Sequence, residues 1–147
     1  MSKNAATTTD FGNLKTQRLL LRIAAIVLFT GLPGAILPAM AVEKFSWMMG
    51  YGQPSLGPIM VYLSGNAGYA FFTYGLVIWA ISNDVVRYHP LVKLIGWIFL
   101  IACPAYLSID LQCHLPWWWV TMDSISCLII GAGILWACRS GFKSSKV

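Results

Sequence analysis

Tyr62, Asn66, Asp110, His114 and Asp123 are the side chains through which this 147-residue sequence could do chemistry. Each lies in or beside a long apolar run, where a polar group is costly and is by default a functional candidate. Asp110 and His114 are spaced i, i+4, so on a continuing helix they share a face. A carboxylate beside an imidazole can orient it and raise its basicity, the pairing used in proton relays and at metal ligands. Cys113 and Asp123 stand near enough in sequence to make a metal site conceivable. The plainer reading puts Asp110 and His114 in wet headgroup, satisfying helix ends, and no metal is assigned.

Asn66 belongs to the string Ser64-Gly65-Asn66-Ala67-Gly68. Small residues let helix backbones approach, and an amide can then hydrogen-bond across the contact. Gly65 and Gly68 are therefore read as helix-packing residues, with Cys127 and Gly131 a second small face at i, i+4 spacing. Recognition of a ligand by Tyr62 and Asn66 is the alternative.

The elements that must position these groups follow from composition. Apolar residues make up 58% of the chain and charged residues 10%, against roughly a quarter charged in ordinary globular proteins. A bilayer solvates such a chain directly, and a spanning helix needs about 20 apolar residues. Four runs qualify: about 23–42, 58–81, 91–111 and 118–138. Short connections make neighbouring spans antiparallel, so the expected fold is all-α, an integral membrane four-helix bundle over 20–138. Residues 1–19, rich in Ala and Thr at the start, read as a disordered and juxtamembrane tail, and 139–147 as a basic tail.

Orientation follows from the basic residues. Lys3, Lys15, Arg18, Arg22, Arg87, Lys93, Arg139, Lys143 and Lys146 fall on one side of the bundle, and only Lys44 on the other. Both termini are thus expected in the cytoplasm, in a bacterial inner membrane. Trp47, Tyr51 and the run Trp117-Trp118-Trp119 suit the opposite interface. On this topology the second span begins at the outer face, with Asn66 about 12 Å deep at 1.5 Å per residue. Tyr62, Asn66, Asp110, His114 and Asp123 then converge on the outer half. A competing reading takes Ala39-Met40-Ala41 as a signal-peptidase site, which would leave three spans.

Other features are structural. Pro33 and Pro104 should kink the first and third spans. Asp84 and Arg87 are spaced to form a salt bridge in the cytoplasmic turn. Net charge is +5, but the cations flank apolar runs, so membrane lipids and not nucleic acid are the expected partners. Cys103, Cys113, Cys127 and Cys138 include no C-x-x-C, and Gly50-x-Gly52 opens no phosphate loop.

Pro58-Ile59-x-x-Tyr62-Leu63, Gly75, Asp84-x-x-Arg87-Tyr88-x-Pro90-Leu91-Val92, Ile109-Asp110-Leu111 and Pro116-Trp117-Trp118 together resemble small bacterial four-helix membrane proteins. Leu21-Arg22-Ile23-Ala24, with Gly31 beyond it, is similar to the DoxX-like group. The resemblance covers about residues 20–138 and implies a bundle fold. That group includes proteins associated with thiol oxidation, quinone reduction and membrane complexes, and the missing C-x-x-C separates this chain from the thiol-oxidising ones. The expected role is an accessory, assembly or scaffold subunit, working with other membrane subunits or a second copy. The alternative is a binding protein or enzyme for a quinone- or lipid-like molecule at the outer leaflet. A transporter ranks third, for want of an ionisable residue at mid-membrane.

Overall fold

Helix is the only regular structure among the described residues, which are 4–54 and 56–141 of the computed structural model; side chains are described from 14 to 139, except at 55. The elements are α1 (Asn4–Phe29), α2 (Leu32–Ile36), α3 (Pro38–Met48), α4 (Pro58–Asn83), α5 (His89–Gln112) and α6 (Trp117–Gly141). Three stretches are long and apolar enough to cross a membrane: Leu14–Ile36, His89–Gln112 and Trp117–Arg139. Between 17% and 28% of each is buried within the protein. Most of their apolar surface faces outward, the reverse of a soluble core. The chain is an all-α, multi-pass membrane protein.

The 58–81 run forms a single uncharged helix within α4. Tyr62, Asn66, Tyr69, Tyr74 and its glycines dilute its hydropathy, and it is not among the three.

The N-terminal third departs from expectation. Residues 4–19, expected as a tail, belong to α1, because a helix nucleated in an apolar stretch propagates at little cost. The first apolar stretch accordingly starts at Leu14 and not at 23. Arg18, which suggested a boundary, donates to the carbonyls of Ser82 at 3.1 Å and Asn83 at 3.2 Å. Those carbonyls belong to the last turn of α4, and a cation suits that end of the helix dipole. Gln17 is buried beside it, and its Nε2 donates to the Ala137 carbonyl at 2.9 Å. Residues 142–147, most of the expected basic tail, lie outside the described residues.

The run 23–42 is not one helix. Pro33 has no N–H to give Phe29, and Pro38 none to give Gly34, so the chain breaks at Thr30–Gly31 and again at Leu37. Each proline then starts the next helix, where its missing donor does no harm. Beyond it, α3 runs past Glu43 and Lys44, which were expected in a loop. It stops at Gly50, whose φ of +82° few side chains tolerate. Gly50 N–H reaches the Trp47 carbonyl at 3.1 Å and Tyr51 N–H the Ser46 carbonyl at 3.0 Å, closing the helix end.

Contacts divide the chain into two units, one Ile23–Trp79, the other joining the chain up to Arg22 with the chain from Ala80. In the first unit a face of α4 made of Gly65, Gly68, Phe72 and Gly75 receives the broken first helix. A Cβ on Gly75 would stand 2.8 Å from the Phe29 ring. A Cβ on Gly68 would stand 2.6 Å from the Ala35 nitrogen and the Gly31 oxygen. Backbone lies directly on backbone there, as small residues permit. The Phe29 ring also packs against Phe72 and Trp79, with centroids 5.7 and 6.0 Å away.

In the second unit α5 and α6 form an antiparallel hairpin. Gly96 lies against Leu135 and Ile134, and Gly131 against the Gly96 oxygen and Leu100. The buried residues Val92, Ile95, Cys127, Ile130, Ile134, Ala137 and Cys138 recur at helical spacing along these faces. Pro104 is accommodated inside a continuous α5. The turn before α5 is held differently from expectation. Asp84 Oδ1 accepts from the backbone N–H of Arg87 at 3.1 Å, and the Arg87 guanidinium lies 5.5 Å from the Tyr88 ring centroid. Three residues of turn bring the carboxylate to the nearer backbone donor, so it braces the turn itself.

Candidate functional site

The hairpin gathers polar groups on its facing surfaces, near the turn that joins α5 to α6. On α5, Cys103, Tyr106 and Asp110 follow one another at i, i+3 and i+7, a single helix face. On α6, Trp119, Asp123 and Cys127 are spaced at successive i+4 steps. Asp110, Asp123, Tyr106 and Cys127 all lie within electrostatic reach of one another, and Cys103 lies within reach of Cys127. The Trp119 side chain hydrogen-bonds Asp123.

Asp110 is the unusual member. It is 3% exposed, covered by neighbouring groups of the protein at the end of α5. Its Oδ2 finds no hydrogen-bond donor among the described residues, and the same is true of the buried Ser124 Oγ on α6. A buried carboxylate oxygen without a donor costs stability, and such a group is where a donor or cation on a ligand would fit.

His114 does not join it along a helix face. The helix ends at Gln112, and His114 takes φ +53°. His114 N–H reaches the Leu111 carbonyl at 3.2 Å and Leu115 N–H reaches the Asp110 carbonyl at 3.0 Å. His114 therefore occupies the left-handed closing position usually given to glycine, with Pro116 just beyond. The expected i, i+4 pairing fails because the helix closes before it can form.

Tyr62 and Asn66 belong to the other unit. Both are exposed, and Asn66 Nδ2 donates to the Tyr62 carbonyl of its own helix at 3.0 Å. The amide is thus on the face of α4 away from Gly65 and Gly68. With Tyr69 and Thr73 it forms an exposed stripe, and Thr73 likewise bonds the Tyr69 carbonyl at 2.9 Å.

Sequence reasoning missed Tyr106 as a neighbour of the two carboxylates, Trp119 as a partner of Asp123 and Cys103 as a neighbour of Cys127. The signal that could have found them is the helical spacing of 103, 106 and 110, and of 119, 123 and 127. Among the described residues no group of three His, Cys, Asp or Glu side chains could hold a metal ion. The four cysteines are free thiols. No family model, curated protein or solved structure matches this chain.

Proposed function

We propose that this protein is a small four-span subunit, accessory or scaffolding in role, of a larger membrane complex. A DoxX-like bundle with α4 as the fourth span and both termini in the cytoplasm of a bacterial cell is the arrangement we infer. The observation that carries the reading is the stripe Tyr62–Asn66–Tyr69–Thr73, exposed on a face of α4 turned roughly 110° from the face of Gly65, Gly68 and Gly75. On a spanning helix, polar groups aimed at lipid are unfavourable, and a neighbouring subunit or second copy that hydrogen-bonds them removes the mismatch.

Gentle detergent extraction followed by native mass measurement tests this. A stable complex with other subunits, or with a second copy, is expected. Asn66→Leu should lower partner recovery while leaving the melting temperature in detergent unchanged. A chain recovered alone from native membranes would sink the subunit role.

A second reading is favoured by Asp110. A buried acceptor beside Asp123, Tyr106 and Cys127 suits an outer-leaflet site for a quinone- or lipid-like molecule carrying a hydrogen-bond donor. Retention of a small molecule by the isolated chain would select it.

Topology has its own test. Impermeant thiol reagent applied to intact cells is expected to label Cys113, which is exposed, and a cysteine placed at Gln53. A cysteine placed at Ser144 should be spared. Labelling at Ser144 from outside would overturn the orientation.

A further inference from the structure

At the end of the hairpin away from its turn, α5 and α6 enclose an open groove of about 610 Å³ lined by Lys93, Trp97, Leu135, Trp136, Cys138 and Arg139. Its lining is ordered by polarity. Lys93 and Arg139 are exposed, and among the described residues they are the charged groups of the lining. Trp97 and Trp136 are 56% and 66% exposed, a large aromatic surface that the protein itself leaves uncovered. The floor is apolar, with Leu135 drawn in over Gly96, whose missing Cβ would stand 2.9 Å from it, and Cys138 buried beside it.

We propose that this groove seats one anionic phospholipid, with its phosphate between Lys93 and Arg139 and the upper part of an acyl chain along Trp97, Leu135 and Trp136. Three observations converge on that ligand class. Two exposed cations on one lining attract an anion. The tryptophans belong at the depth where headgroup meets hydrocarbon. The volume falls in the range of small-molecule sites and far exceeds what a bare phosphate ion occupies. A basic pocket between spanning helices is a physically sound headgroup site, since each Lys or Arg near an anionic leaflet adds its own attraction. The cations sit where α5 begins and α6 ends, so they share one leaflet. That leaflet is the cytoplasmic one if the orientation above holds. The seat rests only on α5 and α6 being spans, not on the subunit role.

The test uses the purified full chain in neutral detergent, titrated with phosphatidylglycerol, phosphatidylcholine or glycerol phosphate, with bound lipid counted by native mass and the melting temperature followed in parallel. One phosphatidylglycerol is expected to persist and to raise the melting temperature, with phosphatidylcholine doing much less. Lys93→Gln or Arg139→Gln should lower the preference for the anionic lipid about fivefold each, and the double variant about 30-fold. Arg87→Gln removes the same charge outside the groove and should leave the preference unchanged. Because the variants are at exposed positions, each melting curve without lipid should match the wild type. Equal binding of the two lipids, or an equal loss with Arg87→Gln, would reduce the effect to diffuse surface charge and overturn the seat. Full stabilisation by glycerol phosphate alone would assign the groove to a soluble phosphate ester.

Discussion

Leucine at position 68 is expected to separate α4 from the broken first helix and to destabilise the protein by about 3 kcal/mol or more. Overpacking a well-fitted contact usually costs about 1–3 kcal/mol. Here even a single Cβ would stand within 2.7 Å of backbone atoms of Gly31, Gly34 and Ala35. Backbone cannot swing aside as a side chain can, so α2 must move as a whole. Gly65→Ala, one turn away, provides the contrast. Its Cβ would meet Pro38 at 3.6 Å, an ordinary contact. Alanine should therefore be tolerated, with a gain of up to about 1 kcal/mol from helix propensity alone. Thermal unfolding in a single detergent measures both. A wild-type melting curve for Gly68→Leu would show that α2 does not rest on α4.

Asp110→Asn is expected to act in the other direction, raising stability by about 1 kcal/mol or more. Removing the charge relieves the burial of a carboxylate whose Oδ2 has no donor among the described residues. The side chain keeps its size and one acceptor oxygen, so packing at the end of α5 should survive. A destabilising group retained at a buried position is retained for another reason, and here the second functional reading supplies one. The variant should keep any partner subunits and lose any co-purified small molecule. A lower melting temperature would mean that the carboxylate is already satisfied in the native membrane. Retention of every small molecule after the change would sink the site at Asp110.

The membrane class and two of the spans were legible because they depend on composition alone. The runs 91–111 and 118–138 lie within α5 and α6, and their flanking charges and tryptophans fall near the helix ends. What composition could not reveal is which face of a helix meets protein. Asn66 looked like packing glue because it sits between Gly65 and Gly68, yet one residue is a rotation of about 100°, and the amide is carried off the glycine face into an exposed position. Asp110 ends an apolar run, and nothing in that position foretold that its side chain would be buried within the protein. The first charge after an apolar run also proved a poor stop signal. Glu43 and Lys44 continue α3, and the left-handed glycine at 50 ends it. Arg18 illustrates the converse, since a cation inside a predicted tail is satisfied by carbonyls 64 and 65 residues away.

The glycine face of α4 also bears on how the chain is made. Glycine, tyrosine and asparagine lower a segment's tendency to leave the translocon for lipid, relative to leucine- and isoleucine-rich segments. The residues that let α4 pack closely therefore weaken its case for entering the bilayer alone. Its partners in that contact, Ala25 through Pro38, are synthesised before it. On the proposed four-span arrangement, a preceding helix already in the membrane offers α4 a surface matched to its glycines, and insertion and packing of this segment become one event. Upstream sequence then decides the fate of downstream sequence.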